Sequence, residues 1–207
     1  MKKQLLFFYI SVVLFVFCSF TFIDKSKTIS NFNLKSATTN KWVSLSDYED
    51  SKGFIVVFIC NKCPMAKFYS QRMNQMEAKY KKMGVPLVAI NSMDTLAYGD
   101  ESFKQMQKKV LKEQLHFPYL QDKKQQVAKQ FNATHTPQAF VIWKTKGKFI
   151  VNYEGAIDDN AGEPEKAQHH FLTDAVEQLL QGKKVTVTKS ESFGCRIFYR
   201  GNKSKMN

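Results

Sequence analysis

The chain is poor in the residues that build metal sites. Its 207 residues include only four histidines and four cysteines, and only one pair of cysteines, Cys60 and Cys63, has ligand-like spacing. A structural zinc site needs four ligands, so one Cys-x-x-Cys with scattered histidines does not supply it. Acidic residues are also scarce, 18 against 31 Lys and Arg, for a net charge of +13. No stripe of arginines and aromatics accompanies that excess, which argues against a nucleic-acid partner. The surplus instead reads as a solvated Lys-rich surface, with an acidic partner or an anionic membrane as the alternative. No internal repeat is present. The length fits one domain plus an export segment. Apolar residues make up 43%, with 18 Phe, so a packed core is expected and disorder is excluded.

Charge is missing altogether from Leu5 to Ile23, directly after Lys2-Lys3. A basic start followed by an apolar run is an export signal. At about twenty residues the run is also long enough to remain as a membrane anchor. No Ala-x-Ala cleavage site follows, and Cys18 offers a lipid-modification site behind a bulky Phe17. Each option places the folded part outside the cytoplasm, in the periplasm or an equivalent oxidising space. The division expected is a signal or anchor over 1–23, a linker over 24–30, a folded domain over 31–182 and a basic tail over 183–207. That tail carries Lys183, Lys184, Lys189, Arg196, Arg200, Lys203 and Lys205.

The period of the apolar residues predicts the elements. Phe32 to Leu45 alternates around Thr38-Thr39-Asn40-Lys41, as a β-hairpin does. Ser44 to Ser51 reads as a short helical turn with a loop. Gly53 to Ile59 and Val85 to Asn91 are continuous apolar runs, expected as buried strands. Between them, Pro64 to Met83 has helical spacing and Gly84 as its stop. Asp100 to Leu115, Lys123 to Phe131 and Glu165 to Leu180 read as further helices, and Phe117 to Leu120 as a short extended piece. Gln138 to Trp143 and Phe149 to Tyr153 form a hairpin turned at Gly147. The order gives an α/β fold: a mixed central sheet with helices on both faces, an N-terminal hairpin and an α-rich insert.

The chemistry sits where the first buried strand meets its helix. Pro64 is suited to the first helical position, which puts Cys63 at the N-cap. Unpaired N–H groups and the positive end of the helix dipole then face its sulfur, lowering the thiol pKa. Lys67 adds a positive charge one turn on. Cys63 is therefore the expected nucleophile, and Cys60 the first candidate to resolve its intermediate. A structural disulfide is the plainer reading of the pair. His135 is read as a satisfied loop histidine, and Asp158 and Asp159 as fixing a turn.

Cys63-Pro64 behind the strand, Arg72, Thr136-Pro137, Gly155-Ala156-Ile157-Asp158-Asp159 and Gly194-Cys195-Arg196-Ile197 together resemble the peroxiredoxin-like branch of the thioredoxin superfamily, the redoxin or AhpC/TSA type. The resemblance covers about Phe32 to Ile197. It implies a thioredoxin-like fold in which Cys63 matches the first active-site cysteine. It also implies that Thr136-Pro137 is the cis-proline loop, which packs beside the thiolate and offers backbone to an incoming disulfide. Two positions depart from the pattern. The second thioredoxin cysteine would fall at Ala66, and the peroxidase threonine three residues before the nucleophile is replaced by Cys60. The function expected is an exported thiol–disulfide oxidoreductase that needs no cofactor and acts with protein disulfides or a dithiol reductant. Cys60 or Cys195 resolves the intermediate, and Arg72 is a candidate thiolate or peroxide contact. The alternatives are a thiol peroxidase and a non-enzymatic module that carries metal or docks a partner.

Overall fold

The computed structural model describes residues 27–201. The uncharged segment Leu5–Ile23, with Cys18, lies outside them. No helix among the described residues is long and apolar enough to cross a membrane. In chain order the elements are β1 (Thr28–Ile29), β2 (Asn33–Ser36), β3 (Trp42–Ser44), β4 (Gly53–Phe58), α1 (Pro64–Phe68), α2 (Ser70–Tyr80), β5 (Leu87–Asn91), α3 (Phe103–Glu113), β6 (Tyr119–Gln121), α4 (Gln126–Phe131), β7 (His135–Thr136), β8 (Gln138–Thr145), β9 (Lys148–Gly155), α5 (Phe171–Leu180) and β10 (Cys195–Arg196).

Eight strands form one mixed sheet in the order β1-β9-β8-β4-β5-β6-β2-β3. β4, β5 and β6 run parallel, and the remaining pairs are antiparallel. Every residue of β4 and β5 is buried, as continuous apolar runs at the centre of a covered sheet should be. Phe58, Phe131 and Phe140 meet edge to face at centroid distances of 5.0–5.7 Å, tying α4 to the middle strands. The result is a thioredoxin-like α/β fold.

Four helices differ in extent from the sequence pattern: α3 runs Phe103–Glu113 rather than Asp100 to Leu115, behind a separate 3-10 turn over Gly99–Glu101, and the other three differ through hydrogen bonds outside their own periodicity. The 64–83 helix breaks at Tyr69, whose amide is shared between the Ala66 and Lys67 carbonyls while its hydroxyl donates to Asp158. α4 begins at Gln126 because the buried Asp122 carboxylate accepts the amides of Gln126 and Ala128 and so fixes the start. α5 begins at Phe171, not Glu165. Asp159 accepts the amides of Gln168 and His169 and holds that approach out of the helix.

A second, two-stranded sheet pairs β10 with β7: Cys195 lies opposite Thr136 and Arg196 opposite His135. The tail thus returns to the middle of the molecule. It is stitched first to β9, where the Glu154 amide donates to Thr188 O, the Ser190 amide donates to Glu154 O, and Ser190 Oγ accepts the Ala156 amide. Beyond Cys195 it is held by Tyr199, which donates to Ala133 O, and by Arg200, which pairs with Asp94 at 2.6 Å.

Candidate active site

β4 delivers the chain to Cys60, and Pro64 starts α1 with Cys63 as its N-cap in extended conformation. The loop between the cysteines is pinned by a residue forty positions away. The buried Glu101 carboxylate accepts the amides of Asn61 (2.7 Å) and Lys62 (3.2 Å), and also Asn91 Nδ2 at 2.8 Å. Tyr119 Oη donates to Asn61 Oδ1 at 2.9 Å. Glu101 and Tyr119 give no sign of this in the sequence, where they fall at a helix start and in a short extended piece.

The Thr136–Pro137 peptide is cis. Gln138 Oε1 holds the loop by accepting the amides of Thr134 and His135. His135 Nδ1 is paired with Thr134 Oγ1 at 2.8 Å. The Thr136 carbonyl accepts from Cys63 Sγ at 3.0 Å when the thiol is protonated. The Thr136 hydroxyl faces Cys60 Sγ at 3.2 Å and the Cys195 carbonyl at 3.3 Å. The fold therefore brings Cys60, Cys63, Thr136, Pro137 and Cys195 together. Cys60 and Cys63 are sealed, at 2% and 1% exposure, whereas Cys195 is exposed and all three are free thiols.

Ionisation splits the three thiols. The Cys63 pKa is lowered well below that of an ordinary thiol, chiefly by a hydrogen bond from the Cys60 thiol. Burial opposes this, and the Cys195 thiol, the Cys195 amide and the Ala66 amide add further donors. On ionisation the sulfur gives up its bond to the Thr136 carbonyl and becomes an acceptor for these groups. Cys60 moves far up, through that same bond to Cys63 and through burial. Cys195 is raised to about 11 by burial and by its bond to Cys63. The helix start contributes one amide, from Ala66. More comes from the other two cysteines, one of them on the distant tail. We expect Cys63 to alkylate fastest, at a rate already flat with pH around neutrality. Cys60 and Cys195 should gain reactivity as pH rises into the alkaline range, because only their thiolates react. Iodoacetamide labelling followed by peptide mass spectrometry checks this, and faster neutral labelling of Cys60 would reverse the assignment.

Arg72 is placed apart from the sulfurs. Its guanidinium bonds the Asp158 carboxylate and the carbonyls of Asn160 and Ala161, and stacks at 4.0 Å on the Tyr69 ring. None of its hydrogen bonds among the described residues goes to a cysteine. A mainly apolar cavity of about 210 Å³ lies beside the site, with Met65, Tyr69, Pro137 and Phe193 on one part of its wall and Asp158 and Asp159 on another. A larger polar cavity of about 610 Å³ lies between the 189–196 stretch of the tail and the 132–138 segment, with Glu154 of β9 at its side, and no cysteine lines it. Among the described residues no group of three or more side chains is arranged to hold a metal ion.

Two thiols at a strand-to-helix junction, a cis-proline loop against them and a mixed sheet behind them match a known family. The model of the AhpC/TSA family covers residues 26–159. The chain belongs to the AhpC/TSA family. It is a redoxin of the thioredoxin superfamily, and the family match ends before the tail that carries Cys195. A hypothetical protein from Sinorhizobium meliloti 1021 is 30% identical, with 85% of this chain and 94% of that one aligned at a TM-score of 0.75. Peroxidoxin BcpB from Mycobacterium tuberculosis shares the fold at 15% identity and a TM-score of 0.56, over 76% of this chain and 96% of its own. The thioredoxin domain of a thiol-disulfide oxidoreductase from Bacteroides vulgatus does so at 13% identity and 0.53, over 74% and 95%. No curated protein matches the chain.

Proposed function

We propose that this AhpC/TSA protein is an exported thiol–disulfide oxidoreductase with Cys63 as its nucleophile. The observation that carries the reading is Cys63 at the start of α1 against the cis Thr136–Pro137 loop, with the Cys60 thiol and the Ala66 amide as donors that favour its thiolate. The Cys63 thiolate attacks a substrate disulfide. One S–S bond forms to Cys63, the substrate S–S bond breaks, and the departing thiolate takes a proton from water. A neighbouring thiol then loses its proton and attacks Cys63 Sγ. It forms an intramolecular disulfide and releases the second substrate thiol. The substrate disulfide is reduced, two protein thiols are oxidised, and an external dithiol restores them. Export is supported by Lys2-Lys3 followed by the uncharged Leu5–Ile23.

Disulfide reduction is favoured over peroxide reduction by the hydrogen bonding. A peroxidase needs a donor that polarises the peroxide beside the thiolate. The residue three before Cys63 is a thiol, a weak donor, and the Thr136 hydroxyl is turned to Cys60 and the Cys195 carbonyl. We expect reduction of a protein disulfide to be faster than oxidation by hydrogen peroxide. Stopped-flow oxidation of the reduced protein, set beside insulin reduction with a dithiol donor, decides it. Rapid Cys63 oxidation by peroxide without insulin turnover would replace the proposal with a thiol peroxidase.

A further inference from the structure

The nucleophile of a disulfide exchanger has to meet a second protein's sulfur, yet Cys63 is 1% exposed. The tail covers it. Cys195 lies directly opposite Thr136 in an antiparallel pair, and the Thr136 carbonyl is in hydrogen-bond contact with Cys63 Sγ. The Cys195 carbonyl in turn accepts from the Thr136 hydroxyl at 3.3 Å. An extended peptide adding to an exposed backbone edge uses the main-chain bonds of such a pair. The edge nearest the nucleophile is thus filled by the chain's own cysteine-bearing strand.

The fit depends on one residue. Gly194 sits at φ +149, and a Cβ there would lie 2.2 Å from Thr136 O and 2.9 Å from Thr136 C. Any side chain at 194 would therefore collide with backbone, which yields only by separating the strands. On one side of Cys195, Phe193 lines the mainly apolar cavity with Pro137 and Met65 while remaining 63% exposed. On the other, Ile197 is buried and its amide donates to Thr134 O at 2.8 Å.

We propose that residues 193–197 are a resident competitor for the strand position against Thr136, and that exchange with a protein disulfide begins only when this strap leaves. The partner class that displaces it is an extended, cysteine-bearing segment of another protein, which takes the place of Gly194-Cys195-Arg196. The inference rests on Cys63 being the exchange nucleophile. When the strap is docked, the fraction of molecules open to a partner is small, and the observed rate is scaled down by that fraction.

The full chain carrying Gly194→Val tests it, read by the rate of mixed-disulfide formation at Cys63 with cystamine and with insulin. Native-state hydrogen exchange of the Ile197 amide reports strap displacement. The expected result is lost protection at Ile197 and an insulin rate raised by about tenfold or more, with the cystamine rate changed much less, since opening raises the competent fraction. Lost protection with an unchanged insulin rate overturns the strap proposal and leaves the exchange reading standing. Absence of any Cys63 mixed disulfide, with cystamine as well as insulin, overturns both. If Gly194→Val does not fold, a Tyr199→Phe, Arg200→Ala double variant removes the anchors to Ala133 O and Asp94 beyond the site. It is read by the same two rates and the same amide, with the same outcomes for and against.

Discussion

Replacing Cys63 by serine should lower disulfide reduction by on the order of a thousandfold or more, because a serine hydroxyl without a general base is no nucleophile near neutral pH. The three thiols are close neighbours, so their single substitutions separate their roles. Cys195→Ser should leave the first attack intact and let a Cys63 mixed disulfide accumulate. Cys60→Ser should accumulate less of it. The reason lies in what remains after the first attack. With Cys63 tied to substrate, the Cys63 thiolate that raises both neighbours is gone, and burial is left. Cys60 is sealed beneath the loop held by Glu101, whose negative charge opposes a second thiolate. Cys195 is exposed and ionises more easily. Cys60→Ala carries a further cost that Cys60→Ser avoids, since alanine removes the leading donor to the Cys63 thiolate whereas the serine hydroxyl still donates. The signature of Cys60→Ala should be a shift of the Cys63 alkylation profile to higher pH. Mass spectrometry of trapped mixed disulfides in each variant, with the labelling profile, checks the set. Accumulation in Cys60→Ser but not in Cys195→Ser would exchange the two roles.

What the sequence made legible is what is local. The continuous apolar runs Gly53–Ile59 and Val85–Asn91 located the two central strands, Gly53–Phe58 and Leu87–Asn91, because strands buried on both faces read as unbroken apolar stretches. Pro64 placed Cys63 at a helix start, and Gly147, at φ +75, turned the β8–β9 hairpin. The helix ends at Tyr69, Gln126 and Phe171 were set by partners outside each helix's own periodicity, namely Asp158, Asp122 and Asp159. The site was legible only in part for the same reason. Gly194-Cys195 stood out as a motif, but its pairing with Thr136 spans 59 residues. The largest shifts at Cys63 come from cysteine partners, and the helix start, the one cause visible in sequence, supplies a single amide. Glu101 belongs to the same class: a carboxylate at the start of an amphipathic helix looks like a solvated charge until the fold closes over it.

Arg72→Leu should destabilise the protein by about 3–5 kcal/mol, the usual cost of stripping one partner from a buried ion pair. The Arg72 and Asp158 side chains are 13% and 5% exposed, so water cannot replace the missing charge well. Asp158 would keep the Tyr69 hydroxyl at 2.7 Å and the Asn160 amide at 3.0 Å, both neutral donors. The carbonyls of Asn160 and Ala161 would lose their guanidinium partner as well. At a few degrees per kcal/mol for a chain of this size, the midpoint of thermal unfolding should fall by roughly 6–20 °C. Arg72→Lys should recover only part of it, because one ammonium cannot span three acceptors as a planar fork does. The same variant separates structure from chemistry. Arg72 clamps the 158–161 loop against Tyr69, and that loop forms one wall of the cavity beside Pro137. If clamping is its whole role, the pH profile of Cys63 alkylation in Arg72→Leu, taken well below its melting temperature, should overlay that of the parent chain. A shift of that profile toward higher pH would show instead that the guanidinium stabilises the thiolate, and would move Arg72 from the scaffold into the reacting site.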